Sequence, residues 1–490
     1  MMARSPIREP FLRLVALWIA LCAGLTGSAL LFSLWSGAFA RTIEVADRPA
    51  VQLAVALTIA GFIFLLTVPL ILRSMRLERP RQMAILWIIL AAGLAMRLAL
   101  FGSTPVLEDD WYRYLWDGGV TAHGYNPYAA SPDAAQGEPY HYTLQLLAQR
   151  SGIVIERINH SELTTVYPPV AQAAFALAHL IAPWSLEAWR GVCLAAELAT
   201  LALLLALLDQ VGRSRLWVAL YWLSPLAAKE LINSAHMDGI VTPFVLAAAL
   251  LALRQRHVLA IAALGLAVGA KFWPLLLAPL LLRPLLAAPW RLGMAVLVLA
   301  VMCAAALLPM VWGASNDASG LTAYASYWRN NSAHYGLLEK GFAVILKPFA
   351  LDPRSAGLAA RAVLAGLAGS CALWIALKPV ANGSDLMTRL GLVTAAVVLL
   401  SPSQFPWYGV WVLPFLVFAP WVGLLVMTAL ISIYYAGFHY SAREIYSVYR
   451  EGIVFAIWLP VWALLAYEAW RVLIARRSPL IETEEPTAHA

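Results

Sequence analysis

Uninterrupted apolar runs of roughly 20 residues recur along this chain from one end to the other, and they limit its fold more than any other feature. Each is long enough to cross a hydrocarbon layer about 30 Å thick. Inside lipid a backbone must satisfy its own hydrogen-bonding groups, so only helices and closed barrels span it. The runs are continuous rather than alternating in polarity, which selects helices. Composition agrees, since 12% of residues are charged and mean hydropathy is +0.74, whereas soluble domains carry about 25% charged residues. The sequence predicts an all-α fold, a polytopic transmembrane helical bundle of about 12–14 spans with two sizeable external loops.

The candidate spans are 11–36, 51–73, 82–101, 167–183, 186–208, 216–233, 236–253, 258–283, 292–312, 355–377, 388–402, 408–419, 421–437 and 453–474. The 408–419 run is too short to cross by itself. These runs divide the chain into N-terminal transmembrane helices (1–101), an external loop with an acidic motif (102–166) and a transmembrane core (167–312). A second external loop (313–354), C-terminal transmembrane helices (355–477) and a polar, acidic, disordered tail (478–490) follow. The stretch Ala38-Phe39-Ala40 before Arg41 looks like a signal-peptide cleavage site. The apolar run before it exceeds the usual 7–15 residues or so, so a retained first span is expected.

The net charge of +7 reads as membrane topology rather than nucleic-acid binding, because no basic stripe interleaved with aromatics occurs outside the runs. Arginines cluster at run ends: Arg4, Arg8 and Arg13; Arg73, Arg76, Arg79 and Arg81; Arg471, Arg476 and Arg477. The positive-inside rule places those ends in the cytoplasm of a multi-pass inner (plasma) membrane protein. Parity then sends 102–166, 313–354, 403–407 and 438–452 to the non-cytoplasmic side. The same count puts Arg213, Arg215, Arg254 and Arg256 outside, against the rule. A re-entrant segment near residue 170 or 270 would flip that middle region. The four cysteines, Cys22, Cys193, Cys303 and Cys371, lie in apolar runs without metal-like spacing and read as small buried side chains.

A loop of about 65 residues is long for a membrane bundle and must have work to do. It opens with Glu108-Asp109-Asp110-Trp111-Tyr112-Arg113-Tyr114. Three consecutive carboxylates repel one another unless they bind a cation or one of them holds a raised pKa for proton transfer. A solvated acidic cap after a span is the plain alternative. Further on come Asp117-Gly118, Gly124-Tyr125-Asn126-Pro127-Tyr128 and Tyr167-Pro168-Pro169 at the entry to the next apolar run.

With these motifs in order, the sequence resembles the polyprenyl-phosphate-sugar-dependent glycosyltransferases of the GT-C superfamily, nearest to glycosyltransferase family 87 and the related bacterial α-mannosyltransferases. Later segments fit the resemblance: His236-Met237-Asp238-Gly239, Lys271-Phe272-Trp273-Pro274, Trp328-Arg329-Asn330-Asn331 and Phe405-Pro406-Trp407-Tyr408 before Trp411 and Pro414. It covers about residues 100–420. Two spans before the acidic loop depart from the basic pattern, which has one. The resemblance implies a GT-C-like bundle that moves a sugar, mannose first among the candidates, from a polyprenyl-phosphate donor to the hydroxyl of a glycan or lipid acceptor at the non-cytoplasmic face, with inversion.

Asp110 and Asp109 are the candidate bases that take the acceptor proton as its oxygen attacks the anomeric carbon. Glu108 with Asp110 is the candidate set for a hard divalent cation, Mg or Mn, against the phosphate. Arg113, Lys271, Arg329 and His334 are the candidates for stabilising charge on the leaving phosphate, with Lys340 beside them. A lysine within an apolar run needs a partner. For Lys271 that is either a lipid phosphate or an acid on a neighbouring helix, Glu230 or Asp238. Tyr112, Tyr114, Tyr167, His236, Asp238, Trp407 and Tyr408 are the candidate substrate contacts; Asp238 also suits a helix cap. The rival function is a transporter or flippase of a lipid-linked sugar, with Lys271, Glu197, Glu230 and Asp238 lining its path. The matching halves common in transporters are not evident.

Overall fold

Leucine and alanine dominate the apolar runs, and both are strong helix formers whose side chains carry no polar group into lipid. The computed structural model describes residues 8–137, 142–313, 319–349, 352 and 354–477; the tail expected at 478–490 lies outside the described residues. Every named element among them is helical, and the β-pairing is an isolated bridge between Asn330 and Ser403. Nine of these helices are long and apolar enough to cross a membrane. Pro225–Asn233 and Met237–Leu253 are apolar enough together but meet at 106°, the geometry of a broken span or a re-entrant turn. Three shorter apolar helices, Pro169–Ile181, His257–Ala270 and Trp273–Ala287, complete the set. The protein is a multi-pass, all-α membrane protein.

Local chemistry fixes many of the helix ends. Pro169 opens its helix where a missing N–H costs nothing. The Ser185 hydroxyl accepts from the Ala188 amide and caps Leu186–Gln210, and Asn382 caps Gly383–Leu400 in the same way. Small residues allow close approach: a Cβ on Gly93 would lie 2.2 Å from the Trp222 indole. Helix Arg8–Trp35 runs along Arg79–Phe101, Asp110–Ala122 lies on Pro169–Ile181, and Val241–Leu253 packs on both Leu186–Gln210 and His257–Ala270.

Contacts sort the loops to two ends of the bundle and correct two of the expected spans. At one end, Arg41 pairs with Asp109, Arg190 donates to the Phe101 carbonyl, and Arg443 reaches the Ala46 carbonyl. At the other, beside the 73–81 arginines, Ser214 donates to Gln82. Gly383 there packs against Val211 and Leu253, and Arg283 bonds the Leu377 carbonyl. Residues 167–183 therefore do not cross. Helix Pro169–Ile181, about 20 Å long, starts at the first end and stays there, its return marked by Trp184 stacking on Trp116. Residues 258–283 are likewise no single span: His257–Ala270 rises from the arginine-rich end to Lys271, and the chain returns to Arg283. Arg213, Arg215, Arg254 and Arg256 thereby join the arginine-rich end, as the charge rule requires. The 408–419 run is likewise two short turns, Pro406–Gly409 and Leu413–Leu416.

Candidate active site

A cavity of about 1320 Å³ lies at the end of the bundle opposite the 73–81 arginines. The loop that carries the acids is held from below by Asn233, whose side chain donates to Ser103 Oγ and the Thr104 carbonyl and accepts from the Val106 amide. Leu107 then takes a left-handed conformation, φ 58°, a strain that persists only where neighbours impose it. It turns Glu108, Asp109 and Asp110 onto the cavity wall at the start of helix Asp110–Ala122.

The structure gives the three acids different surroundings. Asp109 is held as an ion-pair member: Arg41 Nη2 lies 2.7 Å from Oδ2 and Asn159 Nδ2 2.7 Å from Oδ1. Its carboxyl is raised by burial, against the pull of Arg41 and Asn159. Asp110 accepts only a 3.2 Å bond from Asn159 and leaves 27% of its side chain open to the cavity. Burial, and then the Asp109 charge beside it, push its carboxyl up to about 6. Glu108 lies deeper, at 7% exposure, with Oε1 unpartnered, and burial lifts its carboxyl well above the usual range. A carboxylate that titrates near neutrality and faces a cavity is suited to accept a proton.

Behind the acids sits His236, with no exposed surface. It follows Ala235, which is left-handed at φ 55° and pinned by Trp189 Nε1 on its carbonyl at 2.7 Å. The imidazole lies flat on Trp407, ring centroids 3.9 Å apart. Its Nδ1 is 3.8 Å from Asp110, and its Nε2 is 3.9 Å from Glu108 and 3.6 Å from Glu230. His236 therefore lies behind the cavity wall and not on it, unlike the substrate contact that the sequence predicts. Glu108 and Asp110, the pair considered for a cation, meet opposite nitrogens of this ring instead of converging. Among the described residues no group of three or more His, Cys, Asp or Glu side chains is arranged to hold a metal ion.

The facing wall belongs to Lys271, where the 257–270 helix ends. Its ammonium is 2.6 Å from Asp238 Oδ1 and lies over the rings of Tyr408 and Trp411, 4.6 and 4.9 Å from their centroids. Trp411 Nε1 donates to the same Asp238 oxygen at 2.7 Å. Of the two partners open to Lys271 from sequence, the structure supplies the acid on the neighbouring helix while leaving the ammonium on the cavity wall. Asp238 is thus engaged with Lys271 rather than capping its helix.

Tyr112, Tyr114, Tyr167, Trp407 and Tyr408 line the cavity as expected from sequence. Arg113 also borders it, but its guanidinium is committed to Asp117 at 3.0 Å and the Leu163 carbonyl at 2.9 Å. Arg329 and His334 are not brought to the cavity. Arg329 faces outward in an ion pair with Glu339. His334 sits near Trp462, where burial lowers its imidazole to about 4. The asparagines after Arg329 anchor the second loop: Asn331 is bonded by Trp458 and Tyr449 and donates to the Gln404 carbonyl.

Sequence reasoning passed over Arg41, Arg48, Arg157, Asn159, Tyr324 and Arg361, all on the cavity wall. Arg41 and Arg157 flank the Tyr112 ring, and Arg157 donates to its hydroxyl at 3.0 Å. Arginines at the end of the bundle opposite the 73–81 cluster were the available signal.

Residues 14–288, more than half of the chain, match the family model described as alpha-(1->6)-mannopyranosyltransferase, N-terminal domain. The match takes in the acidic segment, His236, Asp238 and Lys271. No curated protein and no solved structure matches the chain.

Proposed function

The chain belongs to the alpha-(1->6)-mannopyranosyltransferase family, and on that premise we propose that it moves mannose from a polyprenyl-phosphate donor to an acceptor hydroxyl by a single displacement. A membrane glycosyltransferase is thereby the function, and the transporter alternative has no support. One displacement inverts the anomeric centre, so an α product calls for a β-linked donor. A 1→6 linkage calls for a primary hydroxyl on the glycan or lipid acceptor.

The observation that carries this reading is the polarity of one cavity. Asp110, raised to about 6, faces it from one wall, and the Lys271 ammonium over two aromatic rings borders it from another. As the acceptor O–H bond breaks, Asp110 takes the proton and the oxygen bonds the anomeric carbon. The C–O bond to phosphate breaks, its electron pair leaves on the phosphate oxygen, and Lys271 balances that charge. Asp109 is tied to Arg41 and Asn159 and holds its neighbour in place. Lys271 takes the role that a cation would otherwise fill, so turnover should survive a chelator. The arginine-rich opposite end supports placing the cavity on the non-cytoplasmic face of the inner membrane.

The test is release of polyprenyl phosphate when the purified full chain meets a panel of polyprenyl-phosphate sugars with candidate acceptors. Release from the β-mannose donor is expected. No release with any donor and acceptor, while a control transferase turns over beside it, overturns the reading.

A further inference from the structure

We infer that His236 is a positioning residue for Asp110, a neutral imidazole whose N–H holds the carboxylate in the orientation that takes the acceptor proton. The inference rests on the transfer reading above and adds a residue with no place on the cavity wall.

The argument starts from unsatisfied atoms. Buried polar groups in folded proteins are nearly always hydrogen-bonded, yet neither ring nitrogen of His236 has a partner, and neither does Glu108 Oε1. The ring is nevertheless encircled by acids: Asp110 at Nδ1, Glu108 and Glu230 at Nε2. The face-to-face contact with Trp407 fixes its plane. Asp110 acts only when ionised, so the tautomer with its hydrogen on Nδ1 is favoured and aims an N–H donor at that carboxylate. The Nε2 lone pair then faces Glu108, whose carboxyl burial lifts well above the usual range. The separations exceed a hydrogen bond by less than 1 Å, so a small tilt closes them.

The other charges near the ring keep it neutral. Lys229 pairs with Glu230 at 3.4 Å, and Tyr435 donates to the same carboxylate at 2.8 Å. Burial first, and then the Lys229 and Lys271 ammonium groups, hold the imidazole well below its usual range. In the transfer, the proton passes from the acceptor hydroxyl to Asp110, while the neutral ring holds that carboxyl in place. When product leaves, Asp110 returns the proton to solvent in the cavity.

The test uses the full chain with the β-mannose donor, comparing wild type with His236→Leu. Expected are a 10- to 100-fold fall in kcat, a donor KM within about 3-fold of wild type, and a larger solvent deuterium isotope effect, because proton removal becomes the slow step. A kcat within 2-fold of wild type, or a loss carried by KM with no change in isotope effect, overturns the inference. Should His236→Leu fail to fold, single-turnover rates of the wild-type chain in mixtures of light and heavy water decide. A straight line, from the one proton taken by Asp110, supports the positioning role, and a bowed dependence, from a proton moving on the ring as well, overturns it. If wild type transfers from no donor at all, the reading of the site fails first; transfer with an indifferent His236 leaves that reading standing.

Discussion

The Arg97–Glu197 pair and the group formed by Glu108, His236 and Glu230 are both buried, yet they are built in opposite ways. Arg97 Nε and Nη2 bond one Glu197 oxygen at 2.9 and 2.6 Å, and Tyr221 donates to the other. The remaining nitrogen serves the carbonyls of Gly93 and Trp222, and the guanidinium lies 3.7 Å from the centre of the Trp222 ring. Every guanidinium nitrogen and both carboxylate oxygens are thereby engaged. Around His236 three acids crowd an imidazole whose nitrogens are both unpartnered, one residue layer from the cavity. A complete network specifies where helices sit; an incomplete one beside a cavity has room to exchange a proton.

That contrast is open to attack by mutation. Asp110→Asn should lower kcat by about 10²- to 10⁴-fold, the usual worth of a general base, with the unfolding midpoint and donor binding little changed. A folded Asp110→Asn chain with near-normal turnover would break the functional side of the comparison. Arg97→Ala strands a buried carboxylate and should cost about 3–5 kcal/mol of stability, read by thermal or denaturant unfolding in detergent. Turnover per folded molecule should stay within a few-fold, and a large fall there would erase the distinction between the two groups.

The pH profile sharpens the same point. Asp110 accepts a proton only when ionised, and burial raises its carboxyl to about 6. Below that pH the charged fraction falls roughly tenfold per unit, so kcat/KM should drop on the acidic side of about 6 and level off above it. A profile flat down to pH 4 would remove Asp110 from the chemistry. The smallest effect belongs to Arg329→Gln. That exposed side chain pairs with Glu339 away from the cavity, and such pairs are worth about 0–1 kcal/mol. Stability and turnover should both stay near wild type; a clear loss of donor affinity would return Arg329 to the site.

Much of the topology was legible, and its two errors have one cause. Apolar content marks which segments avoid water and says nothing of direction, so 167–183 and 258–283 both read as single crossings. The first is a short helix that never leaves its end of the bundle, and the second is a bend around Lys271-Phe272-Trp273-Pro274. Each counted a net crossing that the fold does not make, so together they leave the sides downstream unchanged while residues 209–257 move to the arginine-rich end. The misplaced arginines had signalled that fault. Asp110, Lys271 and the tyrosines stood out because charge and turn-forming residues are rare in such a chain. Arg41, Asn159 and Arg361 did not, since an isolated polar residue in a loop or helix has no local pattern.

By itself the sequence determined an all-helical chain that lives in lipid and the acidic stretch that begins its first long loop, because both are written in contiguous residues. Only the tertiary structure decided which of three adjacent acids is free to take a proton. It tied Asp109 to Arg41, sank Glu108 beside His236, and opened Asp110 to the cavity. The physical reason is that a carboxyl group's proton affinity is set by the charges and solvent around it, and those come from residues far along the chain, as Lys271 is from Asp110.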